Sequence, residues 1–164
     1  MTALVPILMG SASDMAHAQA IAAALDDLGI AYELRIGSAH KTPAHVLAIL
    51  AGYEADPRPK VYITIAGRSN ALSGFVDAQV SAPVIACPPA SSAFGGTDLY
   101  SSLRMPGTVA PAVVLEPANA ALLAAKILGV SDPAIKARVQ AMQRAANDTV
   151  LSADKQLGQE RGEP

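Results

Sequence analysis

Short apolar runs that are typical of strands alternate along this chain with longer segments that have the period of a helix. The strand-like segments lie at residues 4–9, 31–36, 61–65, 84–86 and 112–115. The segment after the second of these shows the clearest helical pattern, because one face carries Val46, Ile49, Leu50 and Tyr53. Further helices are predicted at residues 71–80, 99–103, 117–128 and 132–157, and another helix is predicted to end at Gly29.

This alternation predicts the fold class. Strands that alternate with helices form a parallel sheet with right-handed crossovers, and helices cover both of its faces. Five strands fit a three-layer α/β/α sandwich of the flavodoxin-like type, with strand order 2-1-3-4-5. The 164 residues suit a single domain over 1–164, with 131–157 as a long C-terminal oligomerisation helix and 158–164 as a frayed tail.

The amino-acid composition argues against several classes of binding partner and of structural site. A net charge of −2 without a basic run argues against nucleic acid, and no apolar stretch is long enough to span a bilayer. The N-terminal segment lacks the pattern of a secretion signal, so a cytoplasmic location is expected. The single cysteine, Cys87, excludes an intrachain disulfide and a cysteine-based metal site, and it is expected to be a small buried side chain.

The first strand ends in a small-residue loop that contains Gly10, Ser11, Ser13 and Asp14. Backbone amides and Ser hydroxyls there are suited to a phosphate, and the Asp14 carboxylate is suited to ribose hydroxyls. An ordinary helix N-cap formed by Ser13 or Asp14 explains the same residues equally well. The loop is not a dinucleotide fingerprint, because the GxGxxG spacing is missing.

The second junction contains a histidine whose surroundings suit acid–base chemistry. His40 and Lys41 lie in a short loop before a helix that is predicted to have Thr42 as N-cap and Pro43 at its first position. An imidazole can exchange a proton near neutral pH, and an ammonium beside a helix N-terminus favours an anion. Taken alone, His40 is better explained as a solvated loop residue.

The third strand ends in a further unusual junction, residues 66–70, with the sequence Ala-Gly-Arg-Ser-Asn. The carboxyl ends of parallel strands share one edge of the sheet, so all three junctions are expected to meet there. Ligands bind at that edge in open α/β sheets. This convergence favours one binding site over three unrelated loops.

Four motifs occur in order along the chain, at residues 9–14 (MGSASD), 38–41 (SAHK), 66–70 (AGRSN) and 101–106 (SSLRMP). Together with the helical segment 119–125 (NAALLAA), they resemble the phosphoribosylaminoimidazole (AIR) carboxylases of purine (IMP) biosynthesis, the PurE family. The resemblance covers residues from about 4 to 128. The last helix resembles the family in kind more than in sequence.

The family has two classes, which differ at the second and third junctions. The mutase class moves a carboxylate from the exocyclic amine of the imidazole to C4. It typically carries an Arg after the loop histidine and a second histidine in a Gly/Ala-rich third loop. Here Lys41 follows His40, the third loop contains Arg68-Ser69-Asn70, and no histidine occurs after His45. The chain therefore resembles the other class, which carboxylates AIR directly with CO2 and is fused to a synthetase domain in animals. These 164 residues leave no room for that domain.

The resemblance implies roles for the junction residues. AIR is an enamine-like nucleophile at C4, so CO2 is expected as co-substrate without biotin, ATP or a metal, and His40 is expected to move the C4 proton. Lys41, Ser69 and Asn70 are expected near the CO2 or the new carboxylate, which the charge of Lys41 would stabilise. The remaining expected substrate-binding residues, with Asp14 at the ribose, are Gly10, Ser11, Ser13, Asp14, Ser38, Ala39, Gly67 and Arg68. His17 and His45 match no family position and are expected at the surface.

Alternative functions explain fewer of these residues. The mutase on the same fold is disfavoured by the third loop. A phosphoacceptor receiver needs an Asp at the end of the third strand, where this chain has Ala66-Gly67, and a nucleotide-sensing module would not need His40. A metal enzyme is poorly supported, because the histidines lack ligand spacing.

The composition and the last helix together predict a homo-oligomer, either a tetramer or an octamer. The chain has four Tyr, two Phe and no Trp, which limits the apolar area that one subunit can bury. In the resembling family the C-terminal helical region packs against neighbouring subunits, close to the active sites. The predicted apolar line of the last helix consists of Ile135, Val139, Met142, Ala146 and Val150.

Overall fold

Five strands and six α-helices alternate along residues 2–160, the part of the chain that the computed structural model describes. The strands are β1 (Leu4–Met9), β2 (Ala31–Ile36), β3 (Tyr62–Ile65), β4 (Val84–Ala86) and β5 (Ala112–Val113). The helices are α1 (Met15–Asp27), α2 (Pro43–Glu54), α3 (Ala71–Asp77), α4 (Tyr100–Leu103), α5 (Pro117–Leu128) and α6 (Pro133–Glu160). Two 3-10 helices, Ala12–Asp14 and Ala93–Leu99, precede α1 and α4.

The strands form one parallel sheet in the order β2-β1-β3-β4-β5, as the sequence predicts. The last residue of β1, Met9, pairs with Ile36 at the end of β2 and with Ile65 at the end of β3. The first three strands of the chain, β1, β2 and β3, therefore end level with one another. The loops that follow them begin at the same height above the sheet.

Helices cover both faces of the sheet and bury two apolar clusters. One cluster joins the sheet to α1, α5 and the start of α6, and the other joins it to α2 and α3. The predicted inner face of α2 is buried as expected, and α5 presents four alanines with no exposed area: Ala120, Ala121, Ala124 and Ala125. Such small side chains let α5 pack closely against α1 and the sheet, and the predicted three-layer α/β/α fold is confirmed.

The predicted boundaries are wrong mainly at the far edge of the sheet. β5 has two paired residues instead of the predicted run 112–115, because it is an edge strand whose only partner, β4, is itself three residues long. α3 ends at Asp77, three residues before the predicted end. The predicted small-residue loop 91–97 is partly a 3-10 helix, with left-handed backbone at Phe94, Gly95 and Gly96.

The first two turns of α6 are fastened to the body of the protein. Asp132 caps the helix, since its Oδ1 accepts from the amides of Ala134 (2.9 Å) and Ile135 (3.2 Å). Ile135 and Val139 are buried in the core, and Arg138 Nε donates to the Leu28 carbonyl oxygen at 2.6 Å. Only the later part of the predicted apolar line therefore lacks a partner within the described residues.

Beyond this anchor α6 runs free of the body, and residues 140–157 are all exposed. Residues 158–160 of the predicted frayed tail continue the helix, and residues 161–164 lie outside the described part of the chain. None of the helices described between residues 2 and 160 is both long and apolar enough to cross a membrane.

Candidate active site

A cleft of about 480 Å³ lies over the carboxyl ends of β1, β2 and β3. Hydrogen bonds from Gly10 N to the Ile65 carbonyl (2.8 Å) and from Gly37 N to the Met9 carbonyl (3.0 Å) hold the three junctions side by side. Every predicted site residue except Asn70 lines the cleft. The predicted residues that it brings together are Gly10, Ser11, Ser13, Asp14, Ser38, Ala39, His40, Lys41, Gly67, Arg68 and Ser69.

The cleft also has an apolar wall that the sequence did not indicate as part of a site. Ala66, Ala71 and Leu72 line it beside the polar residues. Leu72 is the second residue of α3 and is 2% exposed, so its sequence position is equally typical of a core residue. The signal that could have identified it as a site residue is its place in the first turn of α3, directly after the third junction, at the helix end that faces the cleft.

In the first junction, one polar residue caps a helix and another is left free of capping hydrogen bonds. Ser11 caps the 3-10 helix, because its Oγ accepts from the Ser13 amide at 3.2 Å and from the Ser13 hydroxyl at 3.0 Å. Asp14 occupies the N-cap position of α1, but its carboxylate makes no capping hydrogen bond. The suggested capping by the Ser13 or Asp14 side chain is therefore wrong, because Ser11 supplies the cap. The Asp14 carboxylate is left available at the cleft.

The second junction is a closed turn that holds His40 and Lys41 at its tip. Ser38 Oγ accepts from the Lys41 amide (3.2 Å), while the Ser38 amide donates to Thr42 Oγ1 (3.0 Å). Thr42 Oγ1 donates back to the Ser38 carbonyl at 3.3 Å, and the Thr42 amide donates to the same oxygen at 2.8 Å. Thr42 does stand at the N-cap position, but its hydroxyl braces this turn and makes no capping bond to α2, contrary to the prediction.

Gly37 lets this turn approach α2 closely. A Cβ atom at Gly37 would lie 2.8 Å from Val46 Cγ2, closer than a carbon–carbon contact allows. Val46 is completely buried on the inner face of α2 and has little room to move. The absence of a side chain at residue 37 thus sets the separation between the His40 turn and the helix that follows it.

The third junction contains a residue in a costly backbone conformation. Arg68 has φ of 54°, in the left-handed region that non-glycine residues adopt at a cost of about 1–3 kcal/mol. Arg68 and Ser69 are exposed and line the cleft. The conformation persists because Asn70, Ser101 and Ser102 bond the loop from behind, as described below.

Asn70 is the predicted site residue that the structure places elsewhere. It is 4% exposed, its Oδ1 accepts from the Ser73 amide at 3.2 Å, and its Nδ2 donates to Ser102 Oγ at 2.9 Å. These bonds cap α3 and turn the amide away from the cleft, which it does not line. Sequence alone identified the motif but not the direction of this side chain.

The charges around the cleft favour an anionic ligand. Lys41 and Arg68 are exposed cationic side chains on its walls, and Asp14 is the carboxylate that lines it. The N-terminus of α2 lies directly beyond the His40 turn and adds a positive partial charge. A ligand with a phosphate and hydroxyl groups matches this arrangement, because the cations and amides suit the phosphate while Asp14 suits the hydroxyls.

The remaining histidines and the cysteine lie outside the cleft. His45 is exposed on α2, as predicted, whereas the prediction of a surface position for His17 is wrong: it is half-buried, with Nε2 3.3 Å from Cys87 Sγ. Cys87 is fully buried, as predicted. Burial, with a smaller contribution from the charge of Glu116, raises the pKa of the Cys87 thiol to about 12 and keeps the thiol neutral.

Two smaller cavities lie elsewhere on the surface. One of about 330 Å³ lies between β2 and α2, where Glu33 accepts from the Tyr53 hydroxyl (2.8 Å) and meets Arg58 (3.6 Å). The other, of about 260 Å³, is bordered by Asp98 and Glu116. Within residues 2–160, no group of three or more histidine, cysteine or carboxylate side chains comes together to hold a metal ion.

The fold and the cleft define a flavodoxin-like α/β protein with a polar site at the carboxyl edge of its sheet. The family model described as AIR carboxylase matches residues 4–149, and the chain belongs to this family. A relative from Treponema denticola, named phosphoribosylaminoimidazole carboxylase, is 56% identical over 96% of this chain and 99% of its own length.

Two further comparisons extend this result. The crystal structure of Treponema denticola PurE matches with a TM-score of 0.93 at 56% identity, over 94% of this chain and 98% of that chain. A rat protein, named bifunctional phosphoribosylaminoimidazole carboxylase/phosphoribosylaminoimidazole succinocarboxamide synthetase, is 39% identical over 93% of this chain. That alignment spans 36% of the rat protein.

Proposed function

We propose that this protein is a phosphoribosylaminoimidazole carboxylase, which joins CO2 to C4 of AIR to give 4-carboxy-AIR (CAIR) in purine biosynthesis. The observation that carries the proposal is the convergence of the His40 turn with the Arg68-Ser69 loop over one cleft. The names of relatives that match nearly the whole chain support the same activity. The proposed setting is the cytoplasm, where a soluble phosphorylated substrate would meet the enzyme.

Binding of AIR uses the polar walls of the cleft. Its phosphate is proposed to bind the Ser hydroxyls, Arg68 and the backbone amides of the junctions, and its ribose hydroxyls are proposed to donate to Asp14. This places the imidazole ring toward His40, Lys41 and Ser69. Fixing the ring against CO2 lowers the barrier by orienting the two reactants before they react.

The proposed chemistry needs one group that can both take and return a proton. A bond forms between C4 of AIR and the carbon of CO2, and C4 then carries both the new carboxylate and its hydrogen. His40 takes that hydrogen as a proton, and the electrons of the C4–H bond restore the aromatic ring. The net reaction is AIR plus CO2 to CAIR plus a proton.

Charge stabilisation is assigned to Lys41. Lys41 follows His40 in the same turn and lines the cleft, where its ammonium would stabilise the carboxylate as negative charge develops on the CO2 oxygens. Because the enamine-like C4 is itself nucleophilic, the proposed reaction uses no biotin, ATP or metal.

The third loop supports direct carboxylation over the mutase reaction, which is the second candidate function. The mutase class carries a histidine in this loop, and this chain has Arg68-Ser69-Asn70 there. The similarity to a bifunctional animal protein favours the class that uses CO2, since that class is the one fused to a synthetase in animals.

Steady-state rates on the two carboxyl sources test this assignment. Purified protein should convert AIR at a rate that rises with CO2, and it should use the N-carboxylated isomer poorly. A reaction started with dissolved CO2 should begin faster than one started with bicarbonate, until the two equilibrate. Efficient use of the isomer together with no use of AIR and CO2 would contradict the class assignment.

We further propose that the protein is a homo-oligomer, a tetramer or an octamer. The distal half of α6 exposes apolar side chains along a helix of about 42 Å, at a rise of 1.5 Å per residue. The first two turns of α6 pack against the body, whereas the distal half has no packed face among the described residues and gains little stability on its own. A second copy of the chain is therefore the proposed partner.

A further inference from the structure

Two serines outside the cleft make hydrogen bonds to the loop that carries Arg68 and Ser69. Ser101 and Ser102 are neighbours on α4, a segment that follows β4 in the chain and does not line the cleft. Both belong to the motif at residues 101–106, for which the proposed mechanism has no use. Their hydroxyls reach across more than thirty residues of sequence to the third junction.

The Ser101 hydroxyl bonds to the backbone on both sides of Ser69. It accepts from the Asn70 amide at 2.9 Å, and its proton is directed to the Arg68 carbonyl at 3.0 Å or to the Asp98 carbonyl at 2.8 Å. With its proton on the Arg68 carbonyl, this one hydroxyl fixes the peptide group before Ser69 as well as the one after it. Arg68, at the start of this span, is the residue with left-handed backbone.

The Ser102 hydroxyl holds the same loop through a side chain. Ser102 is 1% exposed, and its Oγ accepts from Asn70 Nδ2 at 2.9 Å. The other end of that amide caps α3 through the Ser73 amide. Asn70 is thus fixed at three points, and its direction sets where the chain leaves the loop and enters α3.

We propose that Ser101 and Ser102 are positioning residues for the proposed carboxylase, which hold Arg68 in its left-handed conformation and present Arg68 and Ser69 to the substrate. The inference rests on the proposed function of the cleft. Without the Ser101 hydroxyl, the Arg68 peptide is free to relax to an ordinary conformation, because its strain is no longer offset by bonds from α4. The loop then loses its orientation, although no residue that contacts the substrate has changed.

Four single variants and one double variant test the proposal, and one of the four, Ser69→Ala, is the reference for the double variant. Ser101→Ala removes the hydroxyl, Ser101→Thr keeps it, and Ser81→Ala removes a serine hydroxyl that bonds Glu54 (3.3 Å) remote from the cleft. The variants are compared by kcat and KM for AIR at saturating CO2, by the pH profile of kcat, and by thermal unfolding. The double variant Ser69→Ala with Ser101→Ala asks whether Ser101 acts through the loop.

The expected result is a loss of roughly tenfold in kcat/KM for Ser101→Ala, the size that loss of one well-placed hydrogen bond produces. Ser101→Thr should recover to within about threefold of wild type, and Ser81→Ala should match wild type. The pH profile of kcat should keep its shape, because His40 is untouched. In the Ser69→Ala background, Ser101→Ala should cost much less than it does alone.

Separate outcomes overturn the inference and the proposed function. Wild-type protein that does not carboxylate AIR refutes the proposed function, and the inference falls with it. Active wild-type protein whose Ser101→Ala variant keeps full kcat/KM refutes the inference alone. The inference is also refuted if Ser101→Ala lowers kcat/KM by the same factor in the Ser69→Ala background as it does alone. If Ser101→Ala unfolds at a markedly lower temperature, the Ser101→Thr variant is used instead. A Ser101→Thr protein that folds normally but does not recover kcat/KM refutes the positioning role.

Discussion

His40 stands at the tip of a turn that its neighbours hold in place. The Ser38 and Thr42 side chains close the turn with reciprocal hydrogen bonds, and the histidine side chain itself remains exposed to the cleft. A general acid–base group needs this combination, because its position must be fixed while its ring stays accessible to the substrate. The serine and threonine therefore have a structural reason to flank the histidine.

Replacement of His40 by Asn should abolish most of the turnover and leave the fold intact. The amide cannot carry the C4 proton, and general acid–base groups contribute on the order of 10²–10⁴-fold to rate. AIR binding by calorimetry and the melting temperature should stay near wild type. His45→Asn, an exposed histidine on the adjacent helix, is the matched control and should remain active. A His40→Asn variant with near-normal turnover would contradict the role of His40 as the group that moves the C4 proton.

Cys87 should resist thiol reagents in the folded protein. Its pKa is raised to about 12 by burial, so at pH 8 very little of the thiol is ionised, and the thiolate is the reactive form. Labelling by a disulfide reagent at pH 8 should be slow in buffer and fast in urea. The raised pKa also means that the folded state holds the proton more tightly than the unfolded chain does. The Cys87 contribution to stability should therefore decline as pH rises above about 9. Equally fast labelling in both conditions would contradict the buried state.

Residue type predicted the members of the site better than the direction of each side chain. Ser11, Asp14 and Arg68 were assigned from their place after a strand, and the parallel register does bring them to one cleft. Asn70 and Thr42 have polar side chains that can hydrogen-bond either to a ligand or to nearby backbone groups. In the structure both side chains bond to the backbone of residues close in sequence. The outcome of this competition depends on the backbone conformation of each loop, which residue type alone does not specify.

At the scale of elements, burial made the inner strands and helices predictable. β1 is apolar throughout and β3 is buried throughout, because both faces of each strand are covered, and α2 has one clear apolar face. β5 and the segment around Phe94 lie at the far edge, where fewer neighbours constrain the backbone. Their boundaries depend on how many residues of β5 pair with β4 and on the left-handed backbone near Phe94. The hydrophobic pattern of the sequence encodes neither of these features.

The junction between β2 and α2 should tolerate no side chain at Gly37. Gly37→Ala places a Cβ 2.8 Å from Val46 Cγ2, and such overpacking costs about 1–3 kcal/mol. The unfolding free energy in urea and the carboxylation rate should both fall, because the displaced turn carries His40. The two decreases together would indicate that the same contact sets both the stability and the site.

Gly52→Ala on the same helix is the matched control. No atom lies within 4 Å of a Cβ at Gly52, and alanine is the better residue in a helix interior. This variant should gain about 0.5–1 kcal/mol of unfolding free energy and keep its activity. Equal behaviour of the two alanine variants would show that the close approach at Gly37 has no energetic consequence.

At the scale of the whole molecule, the sheet, its helices and the cleft are complete without the distal half of α6. Ile135 and Val139 finish the core of their own subunit, while Val150, Leu151 and Leu157 are 67%, 58% and 55% exposed. A truncation after Ser131 would therefore remove core residues together with the free part of the helix. Substitutions beyond residue 140 separate the two contributions.

Replacement of Val150 and Leu157 by Gln should dissociate the proposed oligomer without unfolding the subunit. The two residues are seven apart and lie on one side of α6, and Gln retains good helix propensity while removing apolar area. Light scattering should report a smaller assembly, and activity should fall if neighbouring subunits support the cleft. Ser152→Gln, roughly opposite Val150 on the helix, is the control and should keep the native mass. A monomeric wild-type protein with full activity would end the proposal, because the exposed apolar side chains of α6 would then serve neither assembly nor catalysis.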